Sequence, residues 1–192
     1  MLSKTHRRLQ ILKKNIQQEI NKTGATKVLF FDEARFGTHT KIGYGWYPKG
    51  TRPRTTVKIG YENFYLYGCV DYQTGDHFSL LLPHVSTICM NLYLEHLSKW
   101  WPDERMAIIM DQAGWHCSKT LVIPPNIIPI YLPPYSPELN PIERLWLHIK
   151  KGVLNNKVYM DLKDLEKALC QFINLMDPIQ VKQICSANYL VN

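Results

Sequence analysis

The sequence predicts an α/β fold in which helices cover both faces of a mixed five-stranded sheet. Three observations lead to this prediction. Five short apolar runs have the length and composition of strands, the second and third flank the turn sequence QTGD, and segments with helical apolar spacing separate later runs. A first strand extended by a meander, then followed by helical crossovers, gives both antiparallel and parallel strand pairs.

Composition narrows the class of protein. The 192 residues, 45% of them hydrophobic, are enough for a buried core and exclude a disordered chain. No apolar run approaches the length of a membrane span, and the N-terminus has no signal-peptide block, so we expect a soluble intracellular protein. Lys and Arg number 23 against 16 acidic residues, which favours a polyanionic partner.

The five cysteines are widely spaced and form no C-x-x-C pair. This pattern argues against a disulfide framework and against a structural zinc site, and it predicts reduced thiols in or near the core.

Residues 3–23 predict a basic amphipathic helix that ends at Gly24, with its apolar positions at Leu9, Leu12, Ile16 and Ile20. The chain then divides into three predicted parts. Residues 1–24 form a basic helix or linker, residues 25–156 form the core, and residues 157–192 form a C-terminal helical extension.

The first half of the core begins with KVLFFDE, a predicted buried strand that closes on Asp32 and Glu33. Residues 38–55 predict a long basic loop with interleaved aromatic residues. The runs FYLYGCVDY and HFSLLL then predict an antiparallel hairpin. A helix capped by Ser86 follows, with predicted apolar positions at Ile88, Leu92, Leu94 and Leu97.

The second half of the core contains MAIIMD, a strand that ends at Asp111, and NIIPIYL, a short fifth strand. The segment QAGWHCSKTLVIP between them predicts a loop and a short helix. Asn140 is then a predicted N-cap, with Pro141 at the first helical position and Glu143 in the first turn. From residue 161 onward the pattern predicts one more amphipathic helix, with apolar positions at Leu162, Leu165, Leu169, Phe172 and Met176.

Three acidic residues are predicted to meet at one edge of the sheet. If the first and fourth strands are parallel neighbours, Asp32 and Asp111 emerge side by side, where open α/β sheets bind ligands. Glu143 would join them from its helix. Clustered carboxylates require raised pKa values or a bound cation, and hard oxygen ligands suit Mg²⁺ or Mn²⁺.

Each acid also has an ordinary explanation. Aspartate is a common residue after a strand, and the glutamate is explained by helix capping alone. The functional reading depends on the three acids lying together, with two metal ions acting in phosphoryl transfer and basic residues holding the phosphates.

Four motifs, FFDEARFG, GWYPKGTRP, MDQAGWH and LPPYSPELNPIERLW, together resemble the catalytic domain of bacterial IS630-family transposases of the Tc1/mariner superfamily. The resemblance runs from about Lys27 to about Lys151. It implies an RNase H-like fold and a triad of Asp32, Asp111 and Glu143. By the same resemblance, this triad holds two Mg²⁺ or Mn²⁺ ions for DNA strand cleavage and strand transfer at TA dinucleotides.

The resemblance also implies partners: double-stranded DNA of the element ends and target, a possible homodimer, and a possible separate helix-turn-helix half, all in the bacterial cytoplasm and nucleoid. Two departures are visible. Gln112 replaces the Asn that many relatives have after the second aspartate, and the 32-residue offset from Asp111 to Glu143 is short. The expected supporting residues are Gln112, Asn140 and Pro141.

Nine residues are expected to contact DNA. They are Arg35, Trp46, Lys49, Arg52, Arg54, His116, Lys119, Arg144 and Lys150.

Alternatives stay open for several of these residues and their neighbours. His116 could be a satisfied structural histidine, and the Trp46 loop could be a solvated loop anchored by one buried Trp. Charges on the helix after Glu143 could be solvated, Glu33 could be structural or solvated, and Trp146 and Leu147 are expected in the core.

Three functions are compatible with these patterns. The first is a transposase catalytic domain. The second is a non-catalytic product of a split or truncated element that binds DNA or a partner. The third is another RNase H-like nuclease such as a junction resolvase.

Overall fold

The structure, a computed structural model, describes residues 4–44, 46–51, 54, 56–134, 136 and 139–186, with the backbone alone described for 4–13. The elements in chain order are α1 (Lys4–Thr23), β1 (Lys27–Gly37), β2 (Asn63–Asp71), β3 (His77–Leu82), α2 (Thr87–Trp100), β4 (Met106–Met110), β5 (Ile127–Tyr131), α3 (Ile142–Val153), α4 (Leu162–Asn174) and α5 (Pro178–Ile184).

The sheet has the order β3-β2-β1-β4-β5. β1 pairs antiparallel with β2, and β2 with β3, whereas β1 and β4 are parallel, as are β4 and β5. The predicted mixed five-stranded sheet is therefore confirmed. The last residue pair between β1 and β4 is Phe30 with Ile109. Asp32 and Asp111 each lie two residues beyond this pair, at the same level of the sheet.

The first strand is longer than predicted, because it runs to Gly37 instead of closing at Glu33. β2 pairs with β1 from Leu29 to Gly37, but β4 accompanies β1 only as far as Phe30. Asp32 therefore lies inside a strand that is paired on one edge and open on the other. The pairing with β2 holds the backbone of Asp32 in place, and the missing pairing with β4 leaves space beside it.

Helices cover both faces of the sheet, as predicted. On one face α2 packs on a core that includes Phe31 and Ile108. On the other face α1, α3, α4 and α5 pack around a core that includes Phe30 and Ile109. Successive residues of a strand point to opposite faces, so β1 and β4 each contribute to both cores.

Helix α2 begins after Ser86, whose side chain accepts a hydrogen bond from the Cys89 amide, as the capping prediction required. Its predicted buried face is partly wrong, because Ile88 and Leu92 are exposed. The buried residues follow an i, i+3, i+4, i+7 stripe instead: Met90, Tyr93, Leu94 and Leu97.

Other boundaries also differ from the predictions. The segment after Asp111 contains no helix, because the amides of His116 and Cys117 turn back onto one carbonyl, that of Ala113. Helix α3 begins at Ile142, and Pro141 before it already has helical dihedral angles. A separate α5 follows α4, since Asp177 caps a new helix with Pro178 in its first turn.

The five cysteines are free thiols, and Cys69 and Cys185 are buried. In the part of the chain that the structure describes, no helix has both the length and the apolar character needed to cross a membrane.

Candidate active site

One cleft of about 500 Å³ is lined by Asp32, Asp111 and Glu143, together with Gln112 and Asn140. The acids come from three different elements, which are β1, the end of β4 and the first turn of α3. The three acids expected at one edge of the sheet therefore line one cleft. Prolines 133 and 134, which follow β5, form another part of the wall.

Asp32 points toward α3, where the indole Nε1 of Trp146 donates a 3.0 Å hydrogen bond to its Oδ2. Gly68 is the residue opposite Asp32 on β2. A Cβ at Gly68 would lie 2.5 Å from Cη2 of Trp146. The absent side chain at Gly68 therefore leaves room for the indole that donates to Asp32.

Burial, followed by the negative charges of Glu143 and Glu33, raises the pKa of Asp32 from 3.8 to about 7. The Trp146 hydrogen bond lowers it only in part. Desolvation and like charge both disfavour the carboxylate here, and a cation in the cleft would offset both effects.

Asn140 connects the start of α3 to β1. Its Nδ2 donates a 2.9 Å hydrogen bond to the carbonyl oxygen of Phe31, and its Oδ1 accepts a 3.4 Å hydrogen bond from the Ile142 amide. Asn140 is buried, so this connection is shielded from water. Glu143 projects from the first turn of the helix, and the positive helix end favours a carboxylate there.

Asp111 follows the last residue of β4, and its side chain is 62% exposed. Oδ1 accepts a 3.1 Å hydrogen bond from the Ala113 amide and lies 2.8 Å from Nδ1 of His116. Gln112 donates from Nε2 to the carbonyl oxygen of Leu132, which joins the exits of β4 and β5. Gln112 therefore has a structural contact at the rim of the cleft.

Glu33 lies on the opposite face of β1, and its side chain is only 7% exposed. Its Oε1 is 3.0 Å from Nε2 of His116 and accepts a 3.1 Å hydrogen bond from Nε1 of Trp115. Of the two alternatives for Glu33, the structural one agrees with the structure and the solvated one is wrong. Strand alternation correctly predicted that Glu33 and Asp32 lie on opposite faces of β1. No sequence signal predicted that the loop after Asp111 packs against Glu33.

His116 is 1% exposed, and each ring nitrogen faces a carboxylate, which leaves neither for a DNA phosphate. This arrangement supports the alternative of a satisfied histidine over the expected phosphate contact. Burial opposes protonation of the ring, but the hydrogen bond to Glu33 and the charges of Glu33 and Asp111 outweigh it and raise the pKa of His116.

The carboxylates of the cleft fit Mg²⁺ or Mn²⁺ by their chemistry. Over the described ranges, no group of three or more His, Cys, Asp or Glu side chains is arranged so that it could hold a metal ion. Mg²⁺ commonly binds through one or two carboxylates while waters and substrate phosphates fill its other positions.

The basic loop after β1 carries several expected DNA contacts. Trp46 is fully exposed, so the alternative of a loop anchored by a buried Trp is wrong. Lys49 and Arg54 are also exposed, whereas Arg52 lies outside the described residues. Trp46 and Leu147 line a groove of about 900 Å³ that also includes Lys41 and Lys151.

The remaining candidates lie in different environments. Arg35 and Lys119 are exposed. Arg144 donates from Nη2 to the Ser186 carbonyl, so it braces the C-terminal part of the chain. Lys150 is half-buried, and its Nζ lies 5.8 Å from the centre of the Phe36 ring.

The two residues expected in the core behave differently from each other. Trp146 is buried as expected, whereas Leu147 is exposed and that expectation is wrong.

Comparison with known proteins gives a consistent result. Residues 27–166 match the family model described as DDE superfamily endonuclease. An uncharacterised protein of Sinorhizobium fredii, y4pE/y4sA, is 36% identical over 107 residues, which cover 55% of this chain and 79% of that protein. The uncharacterised 39 kDa protein of insertion element IS630 from Shigella sonnei is 25% identical over 169 residues, covering 85% of this chain and 49% of that protein.

Solved structures show the same fold. The Mos1 mariner paired-end complex with Mn has a TM-score of 0.67 at 15% identity, covering 99% of this chain and 62% of that chain. The catalytic domain of Mos1 mariner transposase has a TM-score of 0.60 at 14% identity, covering 99% and 96%. These matches confirm the predicted RNase H-like fold. The chain spans about half the length of the IS630 protein and about three-fifths of the Mos1 chain in its complex.

Proposed function

The chain belongs to the DDE superfamily of endonucleases, and from that premise we propose that it is the catalytic domain of an insertion-element transposase. The proposed reaction is metal-dependent cleavage of DNA strands followed by strand transfer. One observation carries the proposal: three carboxylates that are distant in sequence, Asp32, Asp111 and Glu143, line one cleft at the edge of the sheet.

Asp32, Asp111 and Glu143 would hold two Mg²⁺ or Mn²⁺ ions. When bound, such ions supply Lewis acidity to a phosphodiester and make an attacking hydroxyl more acidic. The chain's own contribution is to fix the carboxylates. Trp146 orients Asp32 through its indole N–H, and Asn140 fixes the start of the helix that carries Glu143.

The positive charge of the chain supports DNA as the substrate. The net charge is +7, and the groove lined by Lys41, Trp46 and Lys151 offers cationic and aromatic groups to a nucleic acid. The finer parts of the proposal are TA targets, element-end DNA, a homodimer in a paired-end assembly, a separate helix-turn-helix half, and action in the nucleoid of a bacterial cell.

Removing the metal is expected to remove nicking. Incubated with supercoiled plasmid, the 192-residue protein should convert it to the nicked form in Mn²⁺ and leave it intact in EDTA. Mn²⁺ at about 100 times its dissociation constant should stabilise the fold by about 2.7 kcal/mol, because the ions bind only the folded state. For a domain of this size the melting temperature should rise by about 5–10 °C.

Equal nicking in Mn²⁺ and EDTA would contradict metal-dependent cleavage and point to a contaminating nuclease. Nicking together with an unchanged melting temperature would mean that Mn²⁺ does not stabilise the folded chain, and it would contradict the proposed ion site. A further control replaces Mn²⁺ by Ca²⁺ in the same assay, because Ca²⁺ also binds carboxylates but with a less demanding geometry than Mg²⁺.

Substitution of Lys150 tests whether DNA binds along the face of α3 that borders the cleft. It follows Glu143 and Trp146 at helical spacing on α3, so its ammonium lies on the helix face that borders the cleft. Replacing Lys150 by Gln should lower the slope of log affinity against log salt by about 0.9, the value for one lost phosphate contact. Filter binding of a plasmid-derived duplex between low and moderate salt measures this slope.

Lys99 provides the matched control. It lies on α2 near the start of β4, at the other end of the sheet, where it pairs with Glu95. Lys99→Gln should leave the salt slope unchanged. An equal effect of both substitutions would mean that net charge, and not this surface, determines DNA affinity.

A second candidate is a non-catalytic fragment that acts by binding DNA or a partner. The specific observation that favours it is the coverage of only 49% of the IS630 protein. This candidate predicts DNA binding with neither Mn²⁺ stabilisation nor nicking. A junction resolvase would instead prefer four-way junctions to linear duplex in the same cleavage assay.

A further inference from the structure

A chain of polar side chains crosses the sheet from the α2 face to the acidic cleft. It begins at Glu33, whose Oε1 is 3.0 Å from Nε2 of His116, and continues from Nδ1 of His116 over 2.8 Å to Oδ1 of Asp111. His116 therefore connects a buried carboxylate to one that lines the cleft.

The interior end of this chain is enclosed. Glu33 is 7% exposed and His116 is 1% exposed, and the Phe31 ring lies edge-on to the imidazole with the ring centres 5.5 Å apart. Trp115 donates to the same Oε1 of Glu33, and the hydroxyl of Tyr131 donates to the His116 carbonyl oxygen. Buried polar groups with this many partners have one orientation available to them.

The outer end of the chain, Asp111, lies past the end of its strand and is mostly exposed. Without support its carboxylate would rotate freely, and ordering it around an ion would cost conformational entropy. Among the described residues, the hydrogen bonds to the Asp111 carboxylate all end on Oδ1. Oδ2 is therefore the oxygen left to serve as a ligand from the cleft.

We propose that Glu33 and His116 are positioning residues that fix the Asp111 carboxylate through Oδ1 and present Oδ2 to the metal site. This inference rests on the proposed function, because it assigns a task to the ligand set of that same cleft. Neither residue touches the reacting atoms. Their effect is exerted through the geometry of Asp111, as with outer partners of metal ligands in general.

The test measures Mn²⁺ affinity directly, by the electron paramagnetic resonance signal of free Mn²⁺, with no DNA present. His116→Ala and Glu33→Leu should each weaken Mn²⁺ binding by about 10- to 100-fold, the usual cost of losing an outer-shell partner. With plasmid added, kcat should fall while KM for DNA stays unchanged, because the DNA-contacting surface is untouched.

Tyr131→Phe is the matched control. It removes a 2.9 Å hydrogen bond to the backbone of the same His116 but leaves the path from Glu33 to Asp111 in place. This variant should bind Mn²⁺ as the unmodified chain does. A loss equal to that of His116→Ala would show that loop stability, and not the side-chain path, determines the affinity, and would overturn the proposal.

Asp111→Asn separates failure of this inference from failure of the proposed function. If Asp111→Asn binds Mn²⁺ normally, the proposed metal site is wrong. If Asp111→Asn loses Mn²⁺ while His116→Ala and Glu33→Leu retain it, the site stands and the positioning role is overturned. Should His116→Ala fail to fold, Glu33→Leu, which has a side chain of similar size but no acceptor, decides the question alone.

Discussion

Replacing Asp32 by Asn is expected to abolish metal-dependent nicking and, without metal, to make the protein more stable above neutral pH. The loss of activity follows if Asp32 is a ligand of the catalytic ions. These ions contribute several kcal/mol to transition-state stabilisation, so losing them corresponds to roughly 10³-fold in rate or more.

The gain in stability follows from the raised pKa of Asp32. Burial and the neighbouring charges of Glu143 and Glu33 raise this pKa to about 7, against 3.8 for an ordinary aspartate. Between these values the folded chain binds a proton that the unfolded chain releases, so the contribution of Asp32 to stability declines as the pH rises from about 4 to about 7. The decline corresponds to about 4 kcal/mol.

Asparagine cannot ionise, yet it can still accept the Trp146 hydrogen bond. Urea unfolding in EDTA should therefore show Asp32→Asn more stable than the unmodified chain at pH 8 by up to about 4 kcal/mol, with little difference at pH 4. Mn²⁺ at about 100 times its dissociation constant should narrow this difference at pH 8, because it stabilises the unmodified chain by about 2.7 kcal/mol. A variant that is less stable than the unmodified chain at pH 8 in EDTA would contradict the electrostatic account of this cleft.

Replacing Gly68 by Ala is expected to destabilise the fold and impair the site together. The new methyl group would lie 2.5 Å from the end of the Trp146 ring and 3.1 Å from Oγ of Ser79. Trp146 is buried between α3 and the sheet, so the ring has little room to retreat. Overpacking of this kind costs about 1–3 kcal/mol, and a displaced indole also loses its hydrogen bond to Asp32.

Gly114→Ala is the matched control for stability. A Cβ at Gly114 meets no heavy atom within 4 Å, so this change should alter the free energy of unfolding by no more than about 0.5 kcal/mol. Denaturant unfolding measures both variants, and plasmid nicking should fall only for Gly68→Ala among the molecules that remain folded. Equal stabilities for the two would mean that Trp146 adapts freely and that Gly68 has no special task.

Elements whose patterns are local were predictable from the sequence. Ser86 predicts the start of α2, and the turn sequence QTGD predicts the hairpin. The apolar runs that end in Asp32 and Asp111 predict two strands that bring these acids to one edge of the sheet. These features depend on residues a few positions apart, so a single sequence contains the information.

Features that depend on pairing between distant segments were not predictable. The extension of β1 to Gly37 is imposed by β2, and the burial of Glu33 is imposed by a loop more than 80 residues later. The role of Gly68 in leaving room for Trp146 follows only from the strand register, which places Gly68 opposite Asp32. Helical spacing alone likewise could not tell that Ile88 and Leu147 lie outside the cores.

The hydrogen bond from Asn140 to the Phe31 carbonyl joins segments 109 residues apart, immediately beside Asp32. During synthesis, a nascent chain that has emerged only through β5 carries both aspartates but lacks the helix that brings the glutamate. Such a ribosome-bound intermediate would therefore lack one of the three acids of the cleft. The three acids would line one cleft only after α3 docks on β1, so the complete cleft is a product of folding across the whole core.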